Sequence, residues 1–149
     1  NRYRIDPRAL LDRDALTIEQ ARQLARDPLV TIGAHGISHR RLSKLSENEC
    51  RQELAESRAT LENWLGIPVQ HLAYPFGAAD SCGKREFTLA SELGYKTAVT
   101  TRRGNLFAAH GDYLTALPRR GAATSPMQLR NALNGLESYF ARTNPVQVV

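Results

Sequence analysis

Long apolar stretches and cysteine are both scarce in this chain of 149 residues. No apolar run approaches the roughly 18 residues that a membrane-spanning helix needs, so we expect no membrane span. The two cysteines, Cys50 and Cys82, fit no zinc-ribbon or C-x-x-C redox spacing, and a chain of this length needs no disulfide framework to build a core. The composition, 42% hydrophobic and 23% charged, predicts an ordinary globular domain.

The start of the chain, at Asn1, has neither a methionine nor an apolar signal segment. We therefore expect a processed product or a piece of a longer protein, and the sequence leaves its location open. The net charge is +5, and Arg102-Arg103 and Arg119-Arg120 form two basic pairs. These pairs lie too far apart to form a basic tract, so we expect no nucleic-acid partner.

Helical and strand patterns alternate along the chain. Capping boxes that begin at Thr17 and Ser46 predict helices over 17–26 and 46–65. Further helices are predicted over 85–93 and from 125 onwards, and strands over 29–32, 71–74, 95–100 and 113–117. Such alternation predicts parallel strands joined by helices, as an open doubly wound sheet or a barrel, with the ligand site at the carboxyl ends of the strands.

Two histidines, His35 and His39, directly follow the predicted strand 29–32. Residues four apart share a face where the chain turns helically, so both imidazoles could bind one metal ion. Zinc suits two neutral imidazole nitrogens together with a carboxylate. The alternative is that His35 is a hydrogen-bonded residue at the strand end and His39 a solvated loop residue.

Two segments carry a family resemblance. One reads IGAHGISHRRL and spans 32–42, and the other reads HLAYPFG and spans 71–77. With the Ser46 helix between them, they closely resemble the polysaccharide deacetylases of the NodB-homology type (carbohydrate esterase family 4), over about residues 17–120. The resemblance implies an α/β fold, a distorted (β/α) barrel, of which residues 1–149 form a single partial domain that lacks the first strand or strands.

The resemblance also implies roles for individual residues. It places His35 and His39 as ligands of zinc or another divalent cation, and the backbone N–H of Phe76 as the donor that stabilises the oxyanion. Ala73 stands where the family often has an arginine that orients the catalytic carboxylate. The resemblance therefore implies a metal and an oxyanion site but leaves the orientation of the base unexplained.

Four further residues are candidates for substrate binding. Tyr74, Pro75 and Gly77 are expected to form a wall against the sugar, although packing at the end of a strand is the alternative for Tyr74 and Pro75. Arg119, at the end of the last predicted strand, is expected to contact substrate, or else to be a surface residue.

The chain departs from the family in its acidic residues. The family's paired aspartates, which supply a catalytic base and the third metal ligand, have no match here, because Asp12 and Asp14 lie in a polar stretch. No histidine follows His110, so the family's late general acid is also missing, and His110 itself is expected to be a loop residue. Asp80 and Asp112 are the local carboxylates that could substitute.

The activity implied is metal-assisted removal of N-acetyl groups from an amino-sugar polysaccharide, incomplete in this chain. The alternatives are a non-catalytic relative that binds carbohydrate and a metal-dependent amidohydrolase that acts on another amide. The expected partner is a polysaccharide or oligosaccharide, and the family suggests a secreted or cell-envelope protein. Because a partial barrel leaves strand edges unpaired, we also expect a possible homodimer.

Overall fold

A computed structural model gives the structure of this chain and describes residues 6–122 and 124–134. The α-helices are α1 (Pro7–Asp14), α2 (Ile18–Ala25), α3 (Glu47–Leu65), α4 (Lys84–Glu92) and α5 (Pro126–Leu133). The strands are β1 (His71–Ala73), β2 (Thr97–Arg103) and β3 (Leu117–Arg119). Short 3₁₀ helices span Leu42–Lys44, Ala108–Asp112 and Leu114–Ala116. Within these ranges, we find no helix with the length and apolar character needed to traverse a bilayer.

The strands form a parallel sheet in the order β1-β2-β3. His71 of β1 pairs with Thr97 of β2, and Val99 of β2 pairs with Leu117 of β3. A single bridge between Ala34 and Leu72 adds one more residue on the other edge of β1. The predicted α/β class with parallel strands is therefore confirmed. The described strands form an open sheet, and the barrel stays a prediction.

Helix α3 begins and ends as its sequence predicts. The Ser46 hydroxyl accepts the N–H of Glu49, and the Glu49 carboxylate accepts the N–H of Ser46 (2.9 Å), which closes the capping box. Gly66 ends the helix with φ +69°, a backbone conformation that glycine adopts without a steric cost. Between these ends, the helical spacing of Cys50, Leu54, Ser57, Leu61 and Leu65 predicts one buried face; the first three are buried and the two leucines at the end are partly buried.

The hydrophobic core lies between the sheet and helices α3 and α4. Leu54 of α3, Leu72 of β1 and Ala98 of β2 are all almost inaccessible to solvent. The Tyr95 hydroxyl donates to the Leu54 carbonyl oxygen (2.9 Å) and so joins the start of β2 to the middle of α3. This core fixes the end of β1, from which the candidate site is built.

The prediction of a strand over 29–32 is wrong. Leu29 is 93% exposed, and in this segment the pairing with β1 begins only at Ala34. An apolar, β-branched run forms a strand only where a neighbour pairs with it, and no described strand pairs with residues 29–32. Sequence analysis also missed α1, whose first turn is capped by the Asp6 carboxylate accepting from the N–H of Arg8 (2.9 Å).

The strand predicted over 113–117 is displaced. One 3₁₀ helix, Leu114–Ala116, occupies most of that stretch, and the strand is Leu117–Arg119 instead. Pro118 lies inside β3, which is possible because β3 is an edge strand and a proline there removes no ladder hydrogen bond. The helix predicted from 125 is confirmed as α5, although Leu129 and Leu133 on its apolar stripe are exposed. Its predicted continuation to Phe140 lies outside the described residues.

Both cysteines are free and buried. Burial raises the pKa of the Cys50 thiol and of the Cys82 thiol to about 11. Since the thiolate is the reactive form, these side chains act as small apolar residues of the core.

Candidate active site

The candidate site lies at the carboxyl end of β1. The N–H of Ala34 donates to the His71 carbonyl oxygen (2.8 Å), and the Ala34 carbonyl oxygen accepts from the N–H of Ala73 (2.9 Å). This pairing places His35 beside the last residue of β1, where the segment 74–77 begins. The chain therefore gathers its two motif segments at one end of the parallel sheet, as expected for a ligand site in this class of fold.

The imidazole of His35 is held by the backbone. Its Nδ1 lies 2.7 Å from the Ala73 carbonyl oxygen. A carbonyl oxygen only accepts, so Nδ1 is the donor in this bond, and in the neutral imidazole the free lone pair is on Nε2. The side chain is exposed, and this arrangement is typical of histidines that bind a metal through Nε2.

His39 meets His35 across a loop and not across a helical turn. The two ring centroids are 4.9 Å apart, with the planes inclined at 64°. The loop closes because Gly36 and His39 have left-handed backbone, with φ values of +75° and +54°. The structure therefore brings the two predicted ligands together, by a different local geometry from the helical one that their spacing indicates.

Phe76 lies on the other side of His39. The centroids of these two rings are 4.9 Å apart, and the Phe76 ring is 45% exposed. Phe76 has φ +62°, and among the described residues its N–H has no hydrogen-bond partner. An unpaired N–H beside the histidines is the feature that an oxyanion donor requires.

Gly77 sets the geometry of the turn at residues 75–77, which we call the Phe76 turn. It has φ +65°, its N–H donates to the Pro75 carbonyl oxygen (2.8 Å), and its carbonyl oxygen accepts from the N–H of Thr101 (2.9 Å). A Cβ atom at this position would lie 2.7 Å from the Thr101 nitrogen, closer than real contacts allow. The residue is buried, so its identity follows from the turn, and the predicted substrate contact stays a prediction.

Tyr74 and Pro75 do not form an exposed wall. Tyr74 is 1% exposed, its ring packs 5.4 Å from that of Phe87, and its hydroxyl donates to the Thr115 carbonyl oxygen (2.8 Å). Burial raises the pKa of Tyr74 well above its usual range. Pro75 is also fully buried. The expectation that these side chains contact sugar is corrected, because packing at the end of the strand has removed both from solvent.

Asp80 is engaged in an ion pair. Its carboxylate lies 2.7 Å from the Arg41 guanidinium, which also stacks over the Phe76 ring at 5.0 Å. Hydrogen bonds from the Ser81 hydroxyl and from Arg41 hold the pKa of Asp80 below its usual value. Asp80 is therefore ionised, but its charge is directed at Arg41 beside the site.

The remaining candidates lie apart from the histidine pair. His110 is buried, and its Nδ1 accepts the N–H of Phe107 (3.0 Å), so it stabilises its own loop. Asp112 lines a separate cavity of about 400 Å³ with Lys84. Arg119 donates from Nε to the Thr100 carbonyl oxygen (2.9 Å), and its substrate contact stays a prediction.

No group of three or more histidine, cysteine, aspartate or glutamate side chains that could hold a metal ion occurs within residues 6–122 and 124–134. His35 and His39 therefore offer two ligands, and the described chain does not add a third to them.

Sequence reasoning missed Glu53. This residue of α3 receives hydrogen bonds from the loop between the histidines: the N–H groups of Ile37 and Ser38 each donate to Oε2 (3.0 Å), and the Ser38 hydroxyl donates to Oε1. The only sequence signal is its place one residue before the buried Leu54, which puts it at the margin of the helix face that packs on the core.

Comparison with known proteins supports the family suggested by the motifs. The polysaccharide deacetylase family model matches residues 11–98, more than half of the chain. The chain belongs to the polysaccharide deacetylase family. A curated relative of this chain, "Putative polysaccharide deacetylase YxkH" of Bacillus subtilis (strain 168), is 28% identical over 98 residues, which are 66% of this chain and 34% of that protein.

Solved structures of deacetylases share the fold of this family member. The Streptococcus pyogenes deacetylase PplD, determined in complex with acetate, has a TM-score of 0.70 and 26% identity, and the match covers 83% of this chain and 54% of PplD. A polysaccharide deacetylase from Bacillus cereus has a TM-score of 0.68 and 24% identity, over 80% of this chain and 37% of its own. The chain thus spans about a third to a half of the length of these relatives. The resemblance to NodB-type deacetylases is confirmed.

Proposed function

We propose that this chain is part of a metal-dependent hydrolase that removes N-acetyl groups from an amino-sugar polysaccharide. The observation that carries the proposal is the approach of the His35 and His39 rings to 4.9 Å, with the Phe76 turn against His39. Two imidazoles and an unpaired backbone N–H at one strand end are the parts that hydrolysis of an amide needs for carbonyl activation and charge stabilisation.

The donor set suits a divalent cation such as zinc. Because Nδ1 of His35 is committed to the Ala73 carbonyl oxygen at 2.7 Å, Nε2 is the atom available as a ligand. His35 and His39 would hold the ion, which when bound supplies a Lewis acid for the acetyl carbonyl and lowers the pKa of water.

The chain's own residues would act on the acetyl group as follows. The N–H of Phe76 would donate to the carbonyl oxygen as negative charge develops on it, since this N–H has no partner among the described residues. The Arg41 guanidinium, stacked over the Phe76 ring at 5.0 Å, would keep that ring and its turn in place. Proton abstraction from water needs a general base, and the carboxylate of Asp80 is paired with Arg41 instead.

We propose that the base and the third ligand are the paired aspartates of the family and lie in a part of the natural protein outside this sequence. In support, the chain covers 54% of the length of PplD. The segment around Ala34 has β1 on one side and no described strand on the other. A further parallel strand there would end beside His35, and its addition would extend the open sheet towards the distorted (β/α) barrel.

A calorimetric titration of zinc into the chain tests the ligand pair. We expect His35→Ala and His39→Ala each to weaken zinc binding at least tenfold, because each removes one of two imidazoles. His71→Gln is the matched control, since His71 lies on β1 with its Nδ1 bound to the Thr97 hydroxyl (2.8 Å) and should not be a ligand. Equal zinc affinity in all four proteins would overturn the assignment.

As a second candidate function, the protein would be a non-catalytic family member that binds carbohydrate through the same site at the carboxyl end of β1. The observation in its favour is that no described carboxylate joins the histidine pair. Acetate release from N-acetylated oligosaccharides, measured on the natural protein that contains this chain, separates the candidates. Oligosaccharide binding with no acetate released would favour the binding protein, and hydrolysis of only a small cyclic amide or a peptidoglycan unit would favour another amidohydrolase.

The proposed polysaccharide partner, a secreted or cell-envelope location and a homodimer all follow from the family and from the open sheet edge. Sedimentation tests the dimer, and a monomer at all concentrations would contradict it.

A further inference from the structure

The loop between the two histidines has little support of its own. It contains no helix or strand, and two of its residues, Gly36 and His39, have left-handed backbone. Residues other than glycine persist in this conformation only where the surrounding structure holds them. Something outside the loop must therefore keep the His39 ring beside His35.

Glu53 supplies that support. One carboxylate oxygen accepts the successive N–H groups of Ile37 and Ser38, each at 3.0 Å, and the other accepts the Ser38 hydroxyl. Successive backbone N–H groups next to a left-handed residue form a concave site for an anion, and here the anion is a side chain. All three donors belong to the residues that separate Gly36 from His39.

The anchor itself is rigid. Glu53 lies on the 19-residue helix α3, and its neighbour Leu54 is 0% exposed, so the helix cannot move without disturbing the core. The loop also passes closely between Glu53 and the Phe76 turn. A Cβ atom on Gly36 would lie 3.2 Å from Pro75 Cγ and 3.4 Å from Glu53 Oε2.

We propose that Glu53 is a positioning residue that holds the His35–His39 pair in its ligand geometry through the backbone and hydroxyl of the intervening loop. Its relevance to metal binding rests on the proposed function. Among the described residues, no hydrogen bond joins this carboxylate to either ring, so it acts through the loop and occupies neither Nε2 atom. When a residue that orients metal ligands without binding the metal itself is lost, the metal affinity typically falls by roughly 10- to 100-fold.

The test compares Glu53→Gln with Glu56→Gln on the same helix. Glutamine keeps the size of the side chain but replaces one acceptor oxygen with an NH₂ group, which cannot accept from the loop. Glu56 is exposed and bonds only within α3, to Gln52 (2.6 Å), so it controls for the loss of one helix charge. Ser38→Ala removes one of the three donors without altering the helix.

Two measurements are made on the full chain, after circular dichroism has established equal helix content. The first needs no metal: nuclear Overhauser effects between the ring protons of His35 and His39 report their proximity. We expect them to be lost in Glu53→Gln, weakened in Ser38→Ala and kept in Glu56→Gln. The second is zinc affinity by calorimetry, which we expect to fall at least tenfold in Glu53→Gln, by a smaller factor above twofold in Ser38→Ala, and not in Glu56→Gln.

The outcomes are distinct. Ring contacts and zinc affinity that stay within twofold of wild type in Glu53→Gln would overturn the proposal, even if its melting temperature fell, because Glu53 would then be merely structural. If the wild-type chain binds no zinc and Glu53→Gln still separates the rings, the positioning role stands and the metal of the proposed function fails. If Glu53→Gln does not fold, the same ring and zinc criteria apply to Ser38→Ala.

Discussion

Replacing Gly77 with alanine should destabilise the protein much more than the same change at Gly66. Both glycines have left-handed backbone, with φ values of +65° and +69°. They differ in their surroundings: a methyl group on Gly66 would meet nothing within 4 Å, whereas at Gly77 it would lie 2.7 Å from the Thr101 backbone nitrogen. The pair therefore separates the cost of the backbone conformation from the cost of close packing.

The magnitudes follow from these two terms. A left-handed conformation costs a non-glycine residue about 1–2 kcal/mol, and this cost applies at both positions. At Gly77 the backbone must also shift, which costs about 1–3 kcal/mol for an overpacked site. The shift endangers the 2.9 Å hydrogen bond from Thr101 to Gly77, a contact worth about 1 kcal/mol. We expect a loss of about 3–6 kcal/mol for Gly77→Ala and of about 1–2 kcal/mol for Gly66→Ala.

Urea unfolding followed by circular dichroism measures both losses from the shift of the midpoint at constant slope. Thermal unfolding gives a second estimate, since about 1 kcal/mol corresponds to roughly 2–4 °C in a domain of this size. If the two variants lose the same free energy within about 0.5 kcal/mol, the close approach of Gly77 to Thr101 does not exist, and the reasoning about the Phe76 turn fails with it.

Three further predictions concern the core, the loop and the thiols. Leu54→Ala should cost about 2–5 kcal/mol in urea unfolding, and Leu61→Ala less, because Leu54 is 0% exposed and Leu61 is only partly buried; equal losses would contradict this packing. Burial raises the pKa of Glu53, but hydrogen bonds from the loop outweigh it and hold the pKa below the usual value. Its stabilisation should therefore be complete above the unfolded pKa of about 4.3 and should disappear as the pH falls through the lower folded pKa. Melting temperatures measured against pH should show this loss in the wild type and not in Glu53→Gln, and parallel curves would refute it. Because burial raises the pKa of Cys50 and Cys82 to about 11, neither should react with a thiol reagent at pH 8 until the chain unfolds, and fast labelling of the folded protein would show that they are exposed.

The parts of the fold that the sequence predicts well are those decided by local contacts. The ends of α3 follow from the Ser46 capping box and from Gly66, each of which acts on backbone groups only a few residues away in the chain. The histidine pair and the Phe76 turn were predictable from their family resemblance, and the structure brings them together. Their loop geometry was not, because spacing alone cannot distinguish a helical turn from a loop with left-handed residues.

The errors concern features that depend on distant parts of the chain. Residues 29–32 have the composition of a strand, but a strand needs a partner, and only Ala34 finds one on β1. The strand predicted over 113–117 stops before Pro118, yet Pro118 lies within β3, because the position of a strand at the edge of a sheet cannot be read from its own residues. Glu53 was missed for the same reason: its donors are 15 and 16 residues away.

His39 and Phe76, whose rings touch, are the described residues other than glycine with positive φ. Glycine at either position would relieve the backbone, so natural selection for stability alone would favour losing both side chains. Keeping a histidine and a phenylalanine there sets a trade-off between stability and the proposed activity. Homologues that do not carry out the proposed reaction should therefore acquire glycine or asparagine at these two positions before their core residues change.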